Sequence, residues 1–141
     1  MAKGNTFEDD ILKLIFNGTA IADLAENDTS SPVATLTVAL HTADPGEGGT
    51  QATSEIAYTG YARVAVARTT GGWTVASGSV SPVADITFGQ MTAGAGGIAT
   101  HVSVGSGVGN KLLYKGALTP TINVVNGITP RIKNTSTITE E

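Results

Sequence analysis

The spacing of hydrophobic and polar positions changes period once along this chain. In "NTFEDDILKLIFNGT", Phe7, Ile11, Leu14 and Ile15 recur at helical spacing and make one apolar face, predicting an amphipathic helix over residues 5–17. Thr6 stands where an N-cap belongs, with Asp9 three residues on as a capping-box variant. Glu8, Asp9 and Asp10 put negative charge in the first turn, where the unpaired backbone N–H groups favour it. Gly18 after Asn17 is a stop signal. "AIADLAEND" is expected to add a helical turn before the polar "ENDTSSP".

From Val33 the period becomes two. Leu36, Val38 and Leu40 alternate with Thr35, Thr37 and Ala39, and Val64 and Val66 alternate with Arg63, Ala65 and Ala67. Ile86 and Phe88 flank Thr87; Ile98, Val102 and Val104 share one parity, with His101 and Ser103 on the other. Gly71-Gly72, Ser81-Pro82, "TAGAGG", "GSGVGN" and Asn126-Gly127 punctuate these runs. Short alternating segments at regular spacing predict an all-β fold, an antiparallel β-sandwich or jelly roll over residues 33–139 with about eight strands. Asn126-Gly127 between "TINVV" and "ITPRI" predicts a two-residue hairpin with positive φ at both turn positions. No internal repeat is visible, and the length of 141 residues suits a single domain, 1–141, with its short N-terminal helix.

Composition narrows the function. Charged residues are 14% of the chain, against about 25% in an average soluble domain. Much of the surface is therefore expected to be neutral, with some of it covered by partners. A net charge of −4 with scattered basic residues leaves no footprint for nucleic acid. The longest apolar run, Ile11 to Phe16, is far too short for a membrane span, and "MAKGNTFEDD" lacks the order of a signal peptide. Synthesis and assembly in the cytoplasm are the expectation. With no cysteine there is no disulfide, thiolate metal site or cysteine nucleophile.

The candidate chemistry is sparse. "VGSGVGNK" lacks the GK[ST] ending of a P-loop and the third glycine of a dinucleotide fingerprint, and a strand-like "KLLYKG" follows it; it reads as a strand connection. His41 and His101 lie at a strand end or on a polar parity, and a metal site would need them to converge with Asp44, Glu47 or Asp85. No Ser sits in a nucleophile elbow. Asp44 before Pro45-Gly46 is what a tight turn selects. These readings predict no catalytic residue, no cofactor and no metal. Tyr58, Tyr61 and Trp73 are either a stacking platform or plugs in a core or interface. Arg63 and Arg68, expected to look out from the polar parity of their strand, are candidate contacts to a partner's carboxylate.

One long polar stretch remains, "HTADPGEGGTQATSEIAYTGYARV", His41 to Val64. Together with "GGWTV", "ADITFGQMT", "HVSVG" and "LLYKGALTPTINVVNGITPRI" it resembles a family of small virion proteins of tailed bacteriophages, the similarity running nearly the whole chain. The family's members are often labelled tail fibre proteins. The chain is also similar to capsid cement or decoration proteins, that of a Bordetella podophage among them. The resemblance implies a jelly-roll module that forms a small homo-oligomer, dimer or trimer, and clamps neighbouring major capsid protein subunits on the outside of the shell. A tail-associated receptor-binding sandwich is the alternative. It carries over no catalytic residue and no contact motif. On this reading the stretch is an arm-like loop anchored by Asp44, Pro45 and Gly46 and ordered by packing on a neighbour. Its expected protein contacts are Asp44, Pro45, Gly46, Glu47, Tyr58, Tyr61, Arg63 and Arg68.

Overall fold

A computed structural model of the chain describes residues 5–21 and 33–139, the side chains of Asn5 and Phe7 excepted. The fold is all-β, an antiparallel sandwich with one short helical segment at its N-terminal end. The α-helix α1 spans Asn5–Leu12 and widens into a π-helical turn, Lys13–Asn17. Nine strands follow among the described residues: β1 (Thr35–His41), β2 (Val64–Ala67), β3 (Trp73–Ala76), β4 (Ser79–Pro82), β5 (Ile86–Thr87), β6 (Gly97–Gly105), β7 (Leu112–Val124), β8 (Arg131–Ile132) and β9 (Ile138–Thr139). They form three sheets, in the orders β2-β1-β6-β7, β3-β4-β9 and β5-β8. The turn expected within "AIADLAEND" lies largely outside the described residues.

By packing, the chain divides into two compact units, each woven from separated segments. The first comprises Met1–Thr35, Val66–Asp85 and Lys133–Glu141; the second comprises Leu36–Ala65 and Ile86–Ile132.

In the first unit the helix behaves differently from its predicted face. Leu12 and Phe16, four apart, are fully buried, whereas Ile11, Leu14 and Ile15 are half-buried. The wider π turn advances each residue by less than an α turn does, so the apolar stripe rotates toward Phe16. The Phe16 ring meets Trp73 edge-on, with centroids 4.8 Å apart, and Trp73 is buried. The helix begins at Asn5, which places Thr6 inside it and exposed, and Asp9 accepts a hydrogen bond from Gly78 N–H rather than closing a capping box. The stop at Gly18 is as expected: φ is 65°, and its N–H bonds to the Lys13 carbonyl.

Arg68 completes this end of the helix. Its Nε donates to the Ile15 carbonyl at 2.6 Å, and its Nη2 donates to the Leu14 carbonyl. These are carbonyls that a helix terminus leaves without intrahelical donors, and a cation is favoured there. Arg68 was expected to point outward to a partner. Five residues after Arg63, it is in phase with Val64 and Val66 instead, and is half-buried.

The β3–β4 hairpin is closed by Ser77-Gly78, both with positive φ (52° and 69°). This is the turn geometry expected of Asn126-Gly127. At that site only Gly127 has positive φ (88°), and the flanking segments do not pair. Met91 intervenes: its N–H donates to the Ile128 carbonyl and its carbonyl accepts from Gly127 N–H, while Phe88 N–H donates to Pro130. The chain after the turn thus joins residues 86–91, with Ile86 opposite Ile132, and not the end of β7. Ser81-Pro82, read as a breaker, lies inside β4. Pro82 is its last residue, opposite Trp73, and the next N–H, of Val83, bonds to Gly72.

The second unit holds the four-stranded sheet's β1, β6 and β7. Leu36, Val38, Leu40 and Val104 are buried on one face, as the period-two pattern predicts. Ile56, Tyr58, Ile86, Phe88, Met91, Ala99, Val124 and Ile132 are also buried in this unit. β6 and β7 pair in long register, from Gly97↔Val124 to Gly105↔Leu112, interrupted near Thr100 where extra β7 residues bulge out. "GSGVGN" is the connection between them, closed by Lys111 N–H to Val108 O and Ser106 N–H to Lys111 O.

Candidate functional site

The opposite face of β1 and β6 carries the polar parity: Thr37, Ala39 and His41 stand across from Gly105, Ser103 and His101. An antiparallel sheet with one solvated face would leave these side chains to water. Here Ala39, His41 and Ser103 are no more than 1% exposed. The long polar stretch covers them. It leaves β1 at His41, folds back over this face and returns beside the end of β1, where Thr42 N–H bonds to Ser54 O and Ile56 N–H to Leu40 O.

Gln51 is the pin. It is fully buried in the middle of what reads as a hydrophilic loop. Its Nε2 donates to the Thr37 carbonyl at 2.9 Å, its Oε1 accepts from Thr37 Oγ1 at 2.7 Å, and its backbone N–H bonds to Asn110 O. Space for it exists because residue 105 is glycine. A Cβ there would lie 2.2 Å from the Gln51 amide and 2.6 Å from the Lys111 carbonyl.

His41 is the second anchor. Its Nδ1 lies 2.8 Å from the Thr53 carbonyl and its Nε2 2.7 Å from Ser103 Oγ. A carbonyl can only accept, so Nδ1 carries the proton and Nε2 accepts from the Ser103 hydroxyl. Burial holds His41 below its ordinary pKa, against the Thr53 hydrogen bond and the Glu55 charge, which push it up. The contact has the geometry of a nucleophile and its base, with both side chains buried under the loop. The expectation of a sheet-surface residue fails for His41, because the loop is folded onto that surface. His101, its cross-strand neighbour, is half-buried with Nδ1 2.9 Å from Thr100 Oγ1.

Glu55, Tyr61 and Arg63 close the loop's return. Arg63 grips Glu55 bidentately, Nε to Oε1 at 2.8 Å and Nη2 to Oε2 at 2.6 Å, and Nη1 donates to Asn110 Oδ1 at 2.8 Å. Tyr61 OH donates to Glu55 Oε1 at 2.8 Å and accepts from Leu40 N–H at 3.1 Å, with its ring stacked 6.0 Å from Phe88. Burial raises the Glu55 pKa, but the hydrogen bonds from Arg63 and Tyr61 outweigh it and leave the carboxyl below its ordinary value. Burial also drives the Tyr61 phenol far above its ordinary value.

The expected contact residues therefore separate. Tyr58 is buried, donating to Gly89 O at 2.9 Å, and Tyr61, Arg63 and Arg68 are all committed within the chain. Asp44 is half-exposed; its Oδ1 accepts from Gly46 N–H at 2.8 Å, and the carboxylate pairs with Lys115 at 2.9 Å. The Gly46 hydrogen bond and then Lys115 hold Asp44 below its ordinary pKa. Pro45 is buried and Glu47 exposed. The outward side of the loop thus consists of Glu47, Gly48, Thr50, Ala52, Thr53 and Ser54. Sequence reasoning missed Gln51, Glu55 and Ser103. Only the juxtaposition of Gln51 with Gly105 could have flagged them, and that depends on the fold.

Among the described residues, no three His, Asp or Glu side chains gather as a metal-ligand set. No curated protein matches the chain closely. A family description does match, over residues 2–139: that of the podophage GP4 fiber I protein gp80. Covering nearly every residue, the match shows that the chain belongs to this family and is a structural protein of the bacteriophage virion.

Proposed function

We propose that the chain is a non-enzymatic subunit of a podophage fibre that holds neighbouring virion proteins through the outward side of its long loop. The observation that carries this is the internal consumption of the loop's polar chemistry. His41, Gln51, Glu55, Tyr61 and Arg63 are all bonded within the chain, which leaves a stiff lid presenting small and polar residues. A lid ordered before contact loses little conformational freedom on docking. The family description, which names a fibre, supports that position on the particle. Further copies of the chain, as a dimer or trimer, and an adjoining virion protein are the partners; identical copies add avidity to weak single contacts. The work is mechanical, without cofactor or turnover.

The capsid cement reading places the same lid on major capsid protein subunits of the shell. The resemblance to cement proteins favours it, as does the low share of charged residues, 14%, which suits burial in a lattice. Cryo-imaging of particles carrying a tagged copy separates the two: a few copies at fibre positions for the first, a regular array over the shell for the second. Glu47→Lys with Ala52→Arg is expected to preserve folding and lower occupancy on the particle. Unchanged occupancy would remove the lid from the contact.

A further inference from the structure

His41 sits under the loop where β1, β6 and the returning segment meet. It is fully buried, and both ring nitrogens are committed, Nδ1 to Thr53 O and Nε2 to Ser103 Oγ. We propose that the segment from Thr42 to Ile56 is latched to the sheet by the neutral His41 ring and is released when that ring gains a proton.

The surroundings give a protonated ring no place. A proton on Nε2 turns it into a donor, so Ser103 Oγ must accept and send its own hydrogen elsewhere. Gln51 Nε2 already points at that oxygen from 3.4 Å, and Gln51 Oε1 already accepts from Thr37 Oγ1 at 2.7 Å with Arg63 Nη1 at 3.5 Å. The charged groups around the ring come from every neighbouring element. On the loop, Glu55 faces His41 across a backbone bridge, but its carboxylate is already taken by Arg63 and Tyr61. Arg63 itself adds positive charge nearby. On β6 the neighbour is His101, and on β7 it is Lys115, opposite Ser103 and paired with Asp44. Asp44 offsets Lys115, so the partly neutralised Glu55 is left to oppose Arg63 and a second imidazole. The open loop offers the ring water instead.

The sign follows from linkage. The folded-state value is depressed below the ordinary 6.5, so the open state binds the extra proton and closure weakens as pH falls through 6.5. If the closed state stays unprotonated, the opening constant rises about tenfold between pH 7.5 and 5.5. The test is amide hydrogen exchange by NMR on the full chain, corrected for intrinsic rates. The reporters are Thr42, Gln51 and Ile56, whose N–H groups bond to Ser54, Asn110 and Leu40. The controls are Phe88 and Met91, bonded to Pro130 and Ile128. The expected result is an approximately tenfold loss of protection confined to the reporters, with the His41 ring titrating below 6.5. His101→Gln should leave that response in place, and His41→Asn should abolish it. Equal loss in reporters and controls, unchanged protection, or a His41 midpoint at or above 6.5 would each overturn the latch. The wild-type measurements decide the matter even if His41→Asn does not fold.

Discussion

Truncating Gln51 tests whether the long loop is held from within. In Gln51→Ala, the Thr37 carbonyl loses its Nε2 donor at 2.9 Å, at a cost of about 1–3 kcal/mol for an unsatisfied buried acceptor. Thr37 Oγ1 recovers part of its loss, because the Gly105 carbonyl lies 3.4 Å away. The contacts to Ser103 and Arg63, at 3.4 and 3.5 Å, are too long to add much. The vacated space adds about 1–2 kcal/mol, as the surroundings collapse only in part. The sum is about 2–5 kcal/mol, a large share of the ~5–15 kcal/mol that holds a typical domain together. Gln51→Met refills the space without the hydrogen bonds and is expected to recover about half. Urea unfolding followed by circular dichroism gives the loss, and Trp73 fluorescence reports the unit that does not contain Gln51. Amide exchange at Ile56 and Thr42 shows whether the loop loosens first. A loss below about 0.5 kcal/mol for Gln51→Ala would refute the reasoning, since a buried amide with two short bonds has no route to so small an effect.

Further expectations concern the ion pairs, the helix end and a turn. Arg68→Met removes the donors to Leu14 and Ile15 but keeps much of the side-chain bulk; it is expected to cost about 1–3 kcal/mol and to speed proteolysis within residues 5–18. Gly78→Ala places a Cβ at φ 69° and should cost about 1–2 kcal/mol, while Gly78→Asn costs less; thermal midpoints rank the two. Glu55, held below its ordinary 4.5 in the folded state, adds stability that is present above that value and lost as pH falls through the folded one. Glu55→Gln should flatten this acid limb in a stability titration from pH 7 to pH 3 while leaving any change near pH 6 in place. An unaltered limb would assign it to other carboxylates.

The features legible in the sequence are those set by neighbours a few residues apart. Alternation at Leu36, Val38 and Leu40 located the core face because strand parity is local, and Gly18 marked the helix end because its conformation is local. The Asn126-Gly127 hairpin failed for a matching reason. The dipeptide favours a turn, but which strands flank it is decided by Met91 and Phe88, more than thirty residues upstream. Arg68 was misplaced because parity counted from Arg63 changes over an odd interval, and its carbonyl partners lie more than fifty residues away.

The loop was the least legible element, and its physics explains why. Every signal in "ADPGEGGTQATSE" is polar, and polarity along a chain does not distinguish a solvated segment from one whose polar groups face a polar sheet. The missing term is the parity of β1 and β6. Thr37, His41 and Ser103 make a face with hydrogen-bonding capacity and, at Gly105, a gap, so the segment that best covers it is itself polar. Part of the shortage of charge that suggested a covered surface is thus accounted for within the chain: the uncharged run from Gly48 to Ser54 seals a neutral polar face. What remains for a partner is the reverse side of that lid, from Glu47 to Ser54. Because His41 and Gln51 hold the lid from below, a change in either should alter docking without touching the contact itself, whereas Glu47→Lys with Ala52→Arg should alter docking and leave stability intact. Measuring occupancy and stability on the same variants separates the inner side of the loop from the outer one.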